Sequence, residues 1–246
     1  MRHLTANDDP IRARASRGLW RRAALGIALV LAMAGPALAQ ADQQRLVDRA
    51  TLTAQEMLSV GEPAVLADVQ DAARRARAAV ICPRIFRAGF LLGGQGGSCV
   101  LIARDGAGSW SSPAFYSMGS GSIGLQVGIQ DMQMILFIMT QRGLAAMMED
   151  QVKIGADASI AIATIGGAVG GGVTTNGGAD IMTYARSRGL FAGIALEGSV
   201  FSPDVGFNHS YYGRPVSARQ IVVDMAAHNP AADPLRATLM GAGQTR

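Results

Sequence analysis

"AGFLLGGQGGSCVLIARDG", residues 88–106, decides the fold. Two short apolar runs, 90–92 and 99–103, flank a segment in which four of five residues are glycine. Runs of that length punctuated by glycine are strand signals, so the stretch predicts a β-hairpin with 93–97 as its turn. The same texture recurs in "GSIGLQVGIQDMQMILFIMT" (121–140), where Gln126 and Gln130 alternate with apolar neighbours before a continuous apolar run. It recurs again in "IGADASIAIATIGG" (154–167) and "GLFAGIALEGSVFS" (189–202). Four glycine-punctuated β segments in one style point to a twisted antiparallel sheet, with glycine permitting bends, bulges and close approach.

Upstream the pattern is helical. Between 42 and 60, Leu46, Val47, Ala50, Ala54, Met57 and Leu58 recur at spacings of three and four, which predicts an amphipathic helix stopped by Gly61-Glu62-Pro63. A second helix is expected over about 64–79, with Leu66, Val69, Ala73 and Ala76 on one side and Arg74, Arg75 and Arg77 near its C-terminal end, where the macrodipole favours cations. A short helix is expected near 143–148. The fold class is therefore α+β: a curled, mainly antiparallel or barrel-like sheet with N-terminal helices packed on it.

Residues 1–39 read as a secretory leader. Arg12, Arg14, Arg17, Arg21 and Arg22 precede an apolar run over 23–38 that ends in Ala37-Leu38-Ala39, too short and too interrupted by Gly35-Pro36 for a spanning helix. The leader holds six of the 22 basic and two of the 18 acidic residues, leaving 16 of each. The basic excess therefore belongs to the leader and is no argument for nucleic acid. Residues 40–246 suit one domain, with 225–246 as a short C-terminal tail. An exported chain with only Cys82 and Cys99 suggests a disulfide between them, two buried thiols being the alternative. The uncharged stretch 158–179 carries seven glycines, so it reads as a strand leading into a loop, not a membrane span.

Enzymatic motifs fail one by one. "GSGSIG" (119–124) has G-x-G-x-x-G spacing, but a dinucleotide fingerprint needs a strand before it and a helix opening at its last glycine. Here β-branched Val127 and Ile129 follow, so the glycines serve strand geometry. Outside the leader only His209 and His228 remain; they support neither a triad nor a zinc pattern with the two cysteines. Asp131 and Asp157 sit in apolar β segments and could pair as catalytic acids, though such residues more commonly accept hydrogen bonds at a turn or bulge. No catalytic residue, metal or cofactor is expected.

The remaining concentration of chemistry is Arg74, Arg75, Arg77, Arg84 and Arg87, with Val80, Ile81, Ile85 and Phe86 among them. One reading is a solvated helix end; the other is a site for anionic lipid head groups.

Taken together, "AVICPRIFRAGFLLGGQGG" (79–97), "FYSMGSGSIGLQVGIQ" (115–130), "IGADASIAIATIG" (154–166), "SRGLFAGIALEGSVFSPD" (187–204) and "NHSYYGRPVSARQIV" (208–222) resemble the SYLF family of lipid-binding domains. The resemblance runs over about 45–223. It implies binding of membrane phospholipids, phosphoinositides in eukaryotic members, and in some of those an association with actin. The expectation is a non-enzymatic phospholipid-binding protein of the bacterial envelope, exported, periplasmic or peripheral on a membrane, with an actin partner improbable on account of export. The alternative is an envelope scaffold that uses glycine-rich sheet edges to bind protein.

Overall fold

The computed structural model describes residues 40–89, 92–123, 128–164, 179–189, 196 and 198–242. The leader and most of the 158–179 stretch therefore lie outside the described residues. Asp42–Arg246 form one compact unit.

Two helices open it, α1 over 40–59 and α2 over Pro63–Arg75. The strands follow: β1 Ala78–Gly89, β2 Leu92–Ala103, β3 Ala114–Ile123, β4 Gly128–Ile138, then α3 Gln141–Met147, β5 Val152–Lys153, β6 Ile160–Thr164, β7 Ile181–Gly189 and β8 Val200–Pro203. Helices α4 (Val205–Tyr212), α5 (Ala218–Val222) and α6 (Asp233–Ala242) close the chain. All eight strands form one sheet in the order β5-β8-β3-β2-β1-β4-β7-β6. Among the described strands β6 and β7 are the one parallel pair, so the expected α+β class and mainly antiparallel sheet hold.

The sheet is a half-barrel. Its edge strands β5 and β6 are joined by residues 154–159, a link that spans at most ~25 Å, whereas eight flat strands would extend ~34 Å. One core cluster takes side chains from every strand, among them Val80, Leu101, Tyr116, Leu136, Val152, Ile181 and Phe201, with Ile160 packed against it. That is possible only if the sheet curls round them. Helices α3 and α5 close this concave core through Leu144, Met147, Ile221 and Val222. The alternate residues Ala79, Ile81, Val100, Ile102, Phe115, Ile135, Phe137 and Tyr184 face the other way, under α1, α2, α4 and α6.

The period-3.6 reading of α1 holds: Val47, Ala50, Ala54, Met57 and Leu58 are buried. Helix α2 is shorter than expected. Arg104 donates to the carbonyls of Ala73 and Arg74 at 3.1 and 2.6 Å, satisfying two groups that a helix C-terminus leaves open. Ala78 and Ala79 then pair on both sides, with Ala103 and Ile102 and with Ile138 and Phe137. Two ladders outweigh alanine's helical preference, which is a weak prior.

The expected turn is also displaced. Residues 93–97 lie inside β2, paired with β3 throughout and with β1 over 93–96, Gly93 facing Gly89, so they are strand and not turn. The 121–140 stretch belongs to strands that are not neighbours, the end of β3 and β4. Strand β7 went unrecognised in the sequence, and the segment expected as a tail holds α6, whose Leu235 and Leu239 are fully buried.

Cys82 and Cys99 form a disulfide across β1 and β2 in the concave core. It closes a loop 17 residues long in sequence separation, so its removal relaxes the unfolded chain. Replacing both cysteines with alanine is expected to cost roughly 2–3 kcal/mol in denaturant melts.

Candidate functional site: an arginine groove at the bulge of β1

Pro83 lies in the middle of a central strand, where a residue without an N–H breaks the ladder. The strand answers with a bulge. Ile81 faces Val100 but Phe86 faces Gly96, and Cys82 faces Met134 but Ile85 faces Met132, so β1 carries one extra residue against both neighbours. A bulge re-aims a side chain; here it turns Arg84 out of the sheet beside α1. Arg84 grips Asp131 of β4 with Nε at 2.9 Å and Nη2 at 3.1 Å. The hydrogen bond from Arg84 holds the Asp131 carboxyl below its usual range.

Two adjoining hollows of about 410 and 490 Å³ meet at Arg49, Pro83 and Arg84. One also takes Asp42 and Arg45 from α1 with Ser98 and Phe207; the other takes Leu52, Thr53 and Glu56 with Asp131 and Arg186. Four arginines thus line a groove between α1 and strands β1, β4 and β7. Arg45 is paired to Asp42. Arg186 is anchored by Glu56 and by the Val60 carbonyl, each at 2.6 Å. Arg49 is exposed and has no ion-pair partner among the described residues. Three apolar side chains are exposed on this side of the sheet: Leu52, which lines the second hollow, at 64%, and Phe86 and Ile129 at 44% and 63%. Phe86 follows Arg84, and Ile129 precedes Asp131, by two residues on the same sheet face.

The five arginines singled out by sequence separate into three places. Arg74, Arg75 and Arg77 stand at the end of α2 and the approach to β1, Arg74 and Arg75 both held by Asp71. Arg84 is six residues along β1 from Ala78, ~20 Å at strand rise. Arg87 points to the concave face, 7% exposed, in a cross-strand row with buried Gln95 and Gln130. Only Arg84 belongs to the groove. Arg45 and Arg49, one turn apart on α1, are among the charges between its apolar positions and carry no motif of their own, and Arg186 lies on the unrecognised strand. Pro83 inside a strand run was the available signal for a bulge.

Asp131 and Asp157 have separate structural partners. Asp157 accepts the Lys153 N–H at 2.6 Å in the turn after β5, and Asp131 holds Arg84. His209 and His228 are exposed.

A family profile described as "Ysc84: Las17-binding protein actin regulator" matches residues 119–242, from the end of β3 through α6. The chain belongs to this family. It is the family that the sequence motifs indicate under the name SYLF. An SH3 domain-containing protein of Schizosaccharomyces pombe is 30% identical over 190 residues, covering 76% of this chain and 42% of that protein. LAS seventeen-binding protein 3 of Saccharomyces cerevisiae is 31% identical over 168 residues, 67% of this chain and 36% of its own. The human SH3 domain-containing YSC84-like protein 1 is 30% identical over 139 residues, 56% and 41%. The chain thus spans less than half the length of these relatives. The expectation that actin is an improbable partner, argued only from export, is corrected: the family is described as an actin regulator and its relatives as Las17-binding.

Proposed function

We propose that this chain is a non-enzymatic binding module that docks on anionic phospholipid surfaces through the groove face. The observation that carries the reading is a groove that holds Arg49, Arg84 and exposed Leu52, with exposed Phe86 and Ile129 two residues along their strands from Arg84 and Asp131 on the same sheet face. Apolar side chains enter the interfacial zone while guanidinium forks engage phosphates beside them. Arg74, Arg75 and Arg77 form a second basic locus, adding long-range attraction that salt screens. Exported by the leader that residues 1–39 suggest, the protein would meet an envelope membrane.

The test is flotation of the full chain with phosphatidylglycerol and phosphatidylcholine vesicles at low and high salt. Binding to the anionic vesicles alone, weakened by salt, is expected. The Phe86→Glu/Ile129→Glu double variant is expected to lose at least tenfold in affinity, since burying such side chains contributes ~1.5–3 kcal/mol each. Equal binding by variant and parent, or none by either, refutes the docking surface.

A second reading rests on the family description: a protein partner of the actin machinery, as the relatives' names state for them. Co-sedimentation with filamentous actin in the absence of lipid supports it; flotation that depends wholly on lipid with no actin association does not.

A further inference from the structure

The groove holds a latch as well as a cradle. Asp131 occupies Arg84 in the two-pronged geometry, Nε and Nη2 each donating to one carboxylate oxygen, that the same fork offers to a phosphate. Both partners are substantially solvent-exposed, 63% for Arg84 and 46% for Asp131, and exposed pairs of this kind contribute little to folding. The pair's position is more telling: Arg84 stands where the two hollows meet, beside Arg49, which has no ion-pair partner among the described residues, and Asp131 lines the second hollow. Arg186, in the lining of the second hollow, is fixed by Glu56 and the Val60 carbonyl just past α1, and the bulge sets where the Arg84 backbone stands. Fixed cations lose less entropy on binding than free surface side chains do.

We propose that this groove is a phosphate-monoester site, formed by Arg49 and Arg84, in which Asp131 acts as a built-in competitor that an incoming phosphate must displace from Arg84. The proposal rests on the docking reading and names the group recognised at that surface. A monoester carries close to two negative charges near neutral pH and presents three acceptor oxygens, enough to engage both guanidinium groups. A phosphodiester, with one charge and two free oxygens, satisfies only one fork. The monoester can belong to a lipid head group or to a small soluble molecule.

The site predicts an unusual gain of function. Asp131→Asn, which keeps size and removes charge, is expected to tighten phosphate binding roughly three- to fivefold, the range set by the weak pair it dissolves. Arg49→Met and Arg84→Met, which retain much of the stem, are expected to weaken it at least tenfold. The probe is glycerol phosphate, titrated calorimetrically into the full chain at pH 7.5 and 5.0, with weaker binding at the lower pH as the monoester takes up its second proton. In a second arm, vesicles of phosphatidic acid and of phosphatidylglycerol are compared at matched surface charge.

Binding of glycerol phosphate that Asp131→Asn strengthens and Arg49→Met abolishes establishes the site, whatever the vesicles do. Added preference for phosphatidic acid, competed by glycerol phosphate, assigns the lipid as its source; phosphate binding without vesicle binding assigns a soluble monoester and removes the docking reading instead. No binding of glycerol phosphate, or an unchanged affinity in Asp131→Asn, overturns the proposal. Vesicle binding that depends on Phe86 and Ile129 would then stand on apolar insertion and surface charge, with no specific phosphate site.

Discussion

Replacing Asp180 with alanine is expected to lower the unfolding free energy by about 3 kcal/mol, because one carboxylate carries five hydrogen bonds. Its carboxylate is 2% exposed and accepts from Thr140 Oγ1 at 2.5 Å, from Arg142 Nε at 3.1 Å and through Nη2, and from the Ser159 N–H and hydroxyl at 3.0 and 2.8 Å. These donors come from the start of α3 and from the approach to β6, and Asp180 itself opens β7. One carboxylate therefore fixes where the parallel edge strand joins the sheet. Alanine removes the shared acceptor of all these donors; Arg142 and Ser159 are exposed and can turn to water, Thr140 is half-buried, and the cost is mainly that of the lost bonds. For a domain of this size the melting temperature should fall by about 10 °C. The Arg142 hydrogen bonds, ahead of those from Thr140 and Ser159, hold the Asp180 carboxyl far below the ordinary carboxylate range. A depressed folded-state value makes the stabilisation complete above the unfolded pKa of about 4 and lost progressively as pH falls below it. Urea titrations between pH 7 and 3 should show the parent losing stability more steeply than Asp180→Asn. Parallel curves for the two proteins would mean that the carboxylate's charge is not what the site uses.

The layout of this fold was more legible in the sequence than its details, for a physical reason. Hydrophobic period reports which face of an element is buried, so α1 was readable from Val47, Ala50, Ala54 and Met57, and the sheet class from alternating runs. Glycine is ambiguous between turn and strand. At 93–97 it reads as a turn because strands rarely use so many, yet here Gly94 and Gly96 lie opposite Gly121 and Gly119 across the middle of the sheet. Only the long-range pairing of β2 with β3 decides between the two. Likewise 76–79 favours helix locally and becomes strand because ladders wait on both sides. Strand β7 was missed because "IMTYARSRG" mixes arginine and serine into its alternation; its Tyr184 and Arg186 face α1 and α2, where they find Asp68 and Glu56.

The site was less legible still. A count of arginines along the chain joined Arg74 to Arg87 into one cluster, but strand alternation sends Arg84 and Arg87 to opposite faces, and strand length carries Arg77 well away from both. The groove is assembled instead from residues far apart in sequence, Arg49, Arg84, Asp131 and Arg186, that share one sheet face under one helix. Motif reading reached the family because its signals are local; the charge constellation is a tertiary object.

Gly97→Ala should do more damage than a methyl at any other glycine whose surroundings are described, and it should do so at the site as well as to the fold. Gly97 sits opposite the extra residue of β1. A Cβ built there lies 2.3 Å from the Arg84 carbonyl oxygen and 2.7 Å from Ile85 Cδ1. The isoleucine tip could move; the carbonyl is backbone in a central strand and cannot without shifting the bulge. Overpacking of this kind is expected to cost at least about 3 kcal/mol, more than removal of the disulfide one pair away. Gly119 and Gly121, by contrast, have open space where a Cβ would go, so alanine there should change stability by less than about 1 kcal/mol. That comparison isolates close approach from glycine content. If the Gly97 variant still folds at low temperature, Arg84 should be displaced from Asp131, and glycerol phosphate affinity should fall with it even though no arginine has been touched. A Gly97→Ala protein as stable as Gly119→Ala would show that the bulge tolerates a side chain opposite it, and that Arg84 is not held in place by the sheet beneath.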